Sequence, residues 1–212
     1  MRAAGAVVWN TVRDWYNGMV GLAAMNFVWL MLSLTVVLLP PATAGMYVVT
    51  HSIAHGTGAH FSDYGSGMRR YAWLSYHWAL VTVSTGTVWG VCFRFYGAVA
   101  SDFGGVVQAV LAAVGLVGLA VQFYVWPFLI VQDEKRLGLA LKNALFLTLA
   151  NPVYTLILLG TVALALIFSL IAILPLAVFA VSFISLLGSR AVVERLTTYG
   201  KLPGFIPSGD VQ

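Results

Sequence analysis

Charge is scarce in this chain of 212 residues, of which 8% are Asp, Glu, Lys or Arg and 60% are hydrophobic. Soluble globular domains carry roughly 25% charged residues, so a soluble fold of this composition could not cover its own surface. The alternative solvent is lipid, which requires spans of about 20 mainly apolar residues. Segments free of charge cover 15–62, 71–93, 103–132 and 143–189. They predict one membrane domain and leave no room for a separate soluble catalytic domain.

Cysteine and the familiar enzyme motifs are also missing. The single cysteine, Cys92, excludes an intramolecular disulfide and a thiolate metal cluster. There is no phosphate-binding glycine loop, no nucleophile elbow and no zinc-type His-Glu pair. Asp133 and Glu134 adjoin Lys135 and Arg136, an arrangement typical of a solvated interfacial cluster. The sequence therefore predicts neither an enzyme nor a bound cofactor.

Basic residues outnumber acidic ones by eleven to seven, but they are scattered at the ends of the apolar runs. In that position Lys and Arg face lipid phosphates or fix the orientation of a membrane protein. We therefore expect the lipid bilayer, and not a nucleic acid, to be the partner of these charges.

The apolar runs and their breaks predict an all-α fold, a polytopic transmembrane helix bundle with five to six membrane segments and two interfacial amphipathic helices. The aromatic group at 123–128 is typical of an interfacial anchor. We expect residues 1–195 to form a single transmembrane domain and 196–212 to form a loosely ordered Pro/Gly-rich tail. The predicted spans are 20–39, 42–54, 71–95, 106–131, 153–171 and 174–191, with interfacial helices at 8–17 and 137–149. We also predict a turn or kink at Pro40-Pro41, a polar loop at 56–70 and a break at Pro175.

Orientation follows from Lys and Arg, which concentrate on the cytoplasmic side. If residues 42–54 cross back, ten of the eleven basic residues share one side and Arg94 alone faces the other. If they do not cross, five spans remain and the split is eight against three. The six-segment alternative gives the stronger bias. It predicts a multi-pass protein of the cytoplasmic membrane with both termini cytoplasmic.

An ordered series of short motifs runs along the chain. The motifs are NFVWL at 26–30, PATAG at 41–45, FSDY at 61–64, RRY at 69–71, YVWP at 124–127, LKNAL at 141–145 and NP at 151–152. Together they resemble the YesL-like family of bacterial membrane proteins over about Val8 to Arg195. The histidines of the first loop depart from the family, where more Lys and Arg are expected. The resemblance implies an accessory role beside a carbohydrate importer and no defined activity.

Histidines are the candidate metal ligands. His51 and His55 stand four residues apart, hence on one face of a helix, and His77 lies in the next span. Such a set could bind a metal or haem. The alternative is a pair of interfacial histidines that hydrogen-bond locally or respond to pH.

Small and polar residues give the candidates for packing or for a solute path. Gly86 and Gly90 follow the spacing that lets membrane helices approach closely, either within this chain or with a partner subunit. Asn26, Gln108 and Gln122 are polar groups inside predicted spans. The predicted spans carry no acidic residue at mid-depth, which counts against a carrier coupled to protons or cations.

These features lead to three hypotheses. The first is a non-enzymatic accessory or scaffold subunit of a bacterial membrane complex, which contacts another membrane protein through the interfacial helices and the basic residues Arg69, Arg70, Lys135 and Arg136. The alternative is a small-solute transporter or channel. A haem- or metal-binding membrane subunit is the lesser alternative.

Overall fold

A computed structural model describes residues 2–58, 60–99, 102–171 and 179–201. These residues form eight α-helices and no strand, which confirms the all-α prediction. The helices are α1 Arg2–Asn17, α2 Met19–Ser33, α3 Leu39–Ala54, α4 Phe61–Ala98, α5 Asp102–Val131, α6 Leu137–Ala150, α7 Pro152–Ile171 and α8 Val181–Thr198.

Two of these helices are long and apolar enough to cross a membrane, at Phe103–Val131 and Pro152–Leu170. Both match predicted spans and favour membrane association. The helices Met19–Ser33 and Leu137–Ala150 are apolar but shorter. Part of the predicted span 174–191, with the break at Pro175, lies outside the described residues, as do 202–212 of the predicted tail. Residues 196–198, assigned to that tail, belong to α8 instead.

The centre of the bundle is formed by α3 and α8. Most of α8 between Ser182 and Val193 is buried. The Thr50 hydroxyl lies 3.4 Å from that of Ser189, and Met46 and Leu186 share one hydrophobic cluster. Because residue numbers rise together along the contact, α3 and α8 run parallel.

A tight turn at 34–38 joins α2 to α3. Trp29 Nε1 donates to Thr43 Oγ1 at 3.1 Å, so α3 returns alongside α2. The predicted span 20–39 is therefore too long, since the helix ends at Ser33. The predicted interruption of the first span is the turn at 34–38, a few residues before the prolines. Pro40 and Pro41 themselves make no kink, because both lie in the first turn of α3. A proline there loses no helical hydrogen bond.

The next hairpin pairs α3 with α4. The loop predicted at 56–70 is helical from Phe61 onward, so α4 has 38 residues and is about 57 Å long. A Cβ atom on Gly45 would lie 2.8 Å from the Tyr64 carbonyl oxygen, and one on Gly67 would lie 2.9 Å from Val48 Cβ. These two glycines let α3 and α4 approach each other.

The second half of α4 pairs with the first half of α5. Trp89 Nε1 donates to the Leu111 carbonyl at 2.8 Å. We call residues 79–98 of α4 and 103–119 of α5 the α4–α5 arm. Apart from Gly104, none of these residues is buried. The arm therefore has little contact with the rest of the described chain.

The last turns of α5 are in the core, where an interfacial anchor was predicted. Trp126 is buried, with its ring 6.0 Å from Tyr47, 6.4 Å from Tyr71 and 5.5 Å from Trp78 between ring centroids. Helices α3 and α4 cover these rings. The aromatic group at 123–128 is thus a packing centre for three helices.

Helix α6 runs across one end of the bundle. It begins just after α5 ends, and Asn151 at its other end donates from Nδ2 to the Tyr199 hydroxyl at 2.6 Å. The Tyr124 hydroxyl lies 3.2 Å from Thr155 Oγ1, so α7 begins beside the last turns of α5. Both ends of α6 are therefore near the same end of the bundle, an arrangement that fits the predicted interfacial helix 137–149.

Helix α1 begins at Arg2, earlier than the predicted start at residue 8. Ala4, Val7, Thr11 and Asp14 are buried, whereas Val12 and Tyr16 are exposed. Helix α1 packs against α8 through these buried residues.

Candidate functional site

A line of hydroxyls lies along the buried face of α8. Ser182, Ser185 and Ser189 follow one another at helical spacing and are all fully buried. The Asn26 side-chain oxygen accepts from the Ser182 backbone N–H at 2.8 Å, and Trp15 Nε1 donates to the Ser182 hydroxyl at 3.0 Å. We call this set the α8 seam. Hydrogen bonding allows these polar groups to be buried among apolar side chains.

The α8 seam ends at a buried ion pair between Asp14 of α1 and Arg190 of α8. Both side chains are less than a tenth exposed. A cavity of about 280 Å³ adjoins Arg190 and is also lined by Asn10, Glu194 and Thr197. Sequence reasoning missed this pair, because Arg13 beside Asp14 offered a nearer partner. The signal was an acidic and a basic residue at opposite ends of the chain, each bordering an apolar run.

The same end of the molecule brings together four of the predicted residues. The rings of His51 and His55 are 4.4 Å apart between centroids. Lys135 Nζ donates to the carbonyls of Ile130 at 2.7 Å and Gln132 at 2.5 Å, and so caps the end of α5. Burial, followed by the positive charge of Arg70, lowers the pKa of Lys135.

We call His51, His55, Arg70 and Lys135 the basic end. The other two basic candidates, Arg69 and Arg136, are exposed. Arg136 Nε lies 3.2 Å from Glu134 Oε2 in an exposed pair, which contributes little to stability because water screens it.

His77 lies apart from the other two metal candidates. It is exposed on α4, where its Nδ1 lies 2.9 Å from the Trp73 carbonyl of its own helix. Among the residues that the structure describes, no three His, Cys, Asp or Glu side chains form a group that could hold a metal ion. The structure thus joins His51 with His55 but does not add a third ligand.

Gly86 and Gly90 face open space. A Cβ atom on either would meet nothing within 4 Å, so the described part of the chain does not use them for packing. The close approach predicted for them occurs at Gly45 and Gly67 instead. Both pairs are glycines within helices, so the sequence does not tell them apart. The tertiary structure shows that Gly45 and Gly67 pack closely while Gly86 and Gly90 do not.

The three predicted polar candidates for a path do not meet. Asn26 lies in the α8 seam. Gln122 accepts from Trp78 Nε1 at 2.9 Å, and the Gln108 amide packs against Gly97, where a Cβ atom would collide with it. Both glutamines therefore join α4 to α5.

Comparison with protein-family models, curated proteins and solved structures finds no match to this chain. The similarity to the YesL-like family therefore stays a prediction.

Proposed function

We propose that this protein is a non-enzymatic accessory or scaffold subunit of a bacterial cytoplasmic-membrane complex, and that the α4–α5 arm binds its membrane partner. The observation that carries this proposal is the arm itself. Its two helices contact each other while large apolar side chains such as Leu80, Val91 and Phe103 are exposed. A helix of a partner protein could cover these exposed side chains and contact them specifically, whereas lipid chains would cover them without specific contacts.

The open glycines support a helix as the partner. Gly86 and Gly90 are one turn apart, and nothing lies within 4 Å of a Cβ atom at either position. Small residues at this spacing let a second helix approach the backbone closely, which strengthens van der Waals packing in lipid. The partner class is therefore a membrane protein that offers an apolar helix.

The basic end supports the cytoplasmic orientation. Lys135 and Arg70 lie near the C-terminal end of α3, and α6 crosses this end of the bundle. Arg94, by contrast, is exposed near the far end of α4. This distribution fits the positive-inside rule with six segments and cytoplasmic termini.

A pull-down tests the proposal. The tagged protein is extracted from its native membrane in mild detergent, and everything retained is identified and quantified by mass spectrometry. We expect a stoichiometric membrane protein to be retained by the wild type and lost by the double variant Gly86→Leu, Gly90→Leu. Gly160→Leu is the matched control, since Gly160 of α7 is equally open but lies outside the arm. Equal retention by both variants would contradict docking at the arm.

A small-solute transporter is the second candidate, and the α8 seam favours it. Buried hydroxyls lead towards Arg190, beside which a cavity opens. Flux is measured in liposomes that contain the purified chain alone. Transport by the lone chain that is lost in Ser185→Leu would support this candidate and overturn the subunit proposal.

A further inference from the structure

A second, larger cavity lies at the same end of the bundle, beneath α6. It is an open cavity with a volume of about 770 Å³, lined by the end of α5, one face of α6 and the last turn of α8. Tyr199, which lines it, accepts a hydrogen bond from Asn151 Nδ2 at 2.6 Å, and this bond joins the end of α6 to the end of α8. Sites for small molecules usually have volumes of about 300–1,000 Å³, so this cavity has the size of a ligand site.

The lining of the cavity divides by polarity. Phe128 and Leu147 are buried and Val131 and Leu196 are half-buried, so the inner part is apolar. Asp133 and Lys201 are exposed at the outer part. An amphiphile matches this division, because its chain would remove apolar surface from water while its headgroup stays at the rim.

The charges of the rim select the headgroup. Arg195, which also lines the cavity, is neutralised by Glu194 with Nε and Oε2 3.1 Å apart, and its guanidinium lies 3.8 Å from the Tyr154 ring centroid. Lys201 and Asp133 therefore remain as one cation and one anion. A headgroup with a phosphate and a primary ammonium complements both, because its N–H groups can donate to Asp133, which the quaternary ammonium of phosphatidylcholine cannot do. A purely anionic headgroup would be repelled by Asp133.

We propose that this cavity binds a zwitterionic aminophospholipid of the phosphatidylethanolamine type. One acyl chain packs against Phe128, Leu147 and Leu196, the phosphate faces Lys201 and the ammonium faces Asp133. The cavity lies beside α6, which the sequence predicts to lie at the membrane interface, the depth of the lipid headgroups. The site lies away from the α4–α5 arm, so its failure would leave the proposed partner docking untouched.

Photolabelling tests the site. The full chain is reconstituted into phosphatidylcholine nanodiscs that contain a trace of phosphatidylethanolamine with a diazirine in one acyl chain, and labelled peptides are mapped by mass spectrometry. We expect labels on the segments around Phe128, Leu147 and Leu196. Labels spread evenly over the outer faces of α5 and α7 would overturn the proposal.

Charge variants make the test specific. Lys201→Glu should reduce the labelling by about thirtyfold, since a basic residue near the membrane surface contributes about 1 kcal/mol towards a phosphate and its reversal doubles the effect. Lys142→Glu is the control, because it makes the same charge change on α6 outside the cavity lining. Asp133→Asn should shift the preference towards a phosphatidylglycerol probe. Equal labelling of wild type and Lys201→Glu would contradict the assignment.

Two further variants test what fills the cavity. Leu147→Trp should abolish labelling, because the larger side chain would fill the inner part of the cavity. Size-exclusion chromatography checks that this variant still elutes as a single species. If it does not, Lys201→Glu, an exposed substitution, still tests the site. A chain in which residues 202–212 are replaced by an uncharged Gly/Ser segment of the same length should be labelled to the same extent as the natural chain. If only the chain with the replaced segment were labelled, residues 202–212 would be the occupant and the lipid proposal would fail.

Discussion

At the residue scale, the buried pair Asp14–Arg190 joins the two ends of the chain. Removing two charges from water has a large free-energy cost, which is offset only while each faces the other. Helix α1 is otherwise buried through small side chains and one hydroxyl, whereas α8 also buries large apolar side chains such as Leu186 and Leu187. The pair therefore fixes how α1 packs against α8, and loss of one partner would leave an uncompensated charge.

Asp14→Ala should lower the free energy of unfolding by about 3–5 kcal/mol, because Arg190 would stay buried without its carboxylate. The measurement is thermal unfolding of the purified protein in mild detergent. The double variant Asp14→Leu, Arg190→Met should recover most of the loss. Glu134→Gln, which breaks the exposed pair with Arg136, should change stability by less than about 1 kcal/mol. A double variant as unstable as Asp14→Ala would count against the pair.

At the scale of elements, the contact between α3 and α4 depends on missing side chains. Gly67 lies against Val48 and against the backbone of Gly45, so the two helices touch where neither has a Cβ atom. Gly65, two residues earlier in α4, faces open space. The two glycines are alike in sequence context and opposite in packing.

Gly67→Ala should therefore destabilise the protein by about 1–3 kcal/mol through overpacking. Gly65→Ala should be neutral or should stabilise by up to about 1 kcal/mol, since alanine has the higher helix propensity. Unfolding of the two variants by denaturant in the same detergent gives the comparison. Equal stability of both would mean that α3 and α4 do not approach as described.

At the scale of the whole molecule, polarity is arranged as lipid requires. Buried positions include Asn26, Thr50 and the serines of α8, while large apolar side chains of α4, α5 and α7 are exposed. A soluble protein rarely exposes extended apolar patches. In lipid, exposed apolar faces carry no hydrophobic free-energy cost. The polar groups must instead form their hydrogen bonds inside the bundle.

The two ends of the molecule should differ in their access to water outside the cell. In a Cys92→Ser background, Arg94→Cys should react with a membrane-impermeant maleimide on intact cells. Arg136→Cys should react only after the cells are permeabilised, because Arg136 follows Lys135 of the basic end, which the proposed orientation puts on the cytoplasmic side. Labelling of both positions on intact cells would contradict the proposed orientation.

Several elements were predictable from local pattern alone. The helices around 106–131 and 153–171 follow from long apolar runs, and α6 follows from the charged stretch before it and Asn151-Pro152 after it. The predicted ends of helices were wrong where tertiary packing determines where a helix begins or ends. The end of α2 at Ser33 and the helical start of α4 at Phe61 depend on what α3 and α8 cover.

The sequence by itself determined the composition, the helical class and the two longest apolar helices, because each depends on the solvent preference of consecutive residues. The tertiary structure alone decided which side chains meet. It paired Asp14 with Arg190, chose Gly45 and Gly67 over Gly86 and Gly90, and turned Trp126 from a predicted interfacial anchor into a core residue. Such contacts depend on how helices far apart in sequence are placed in space, and local periodicity carries no record of that placement.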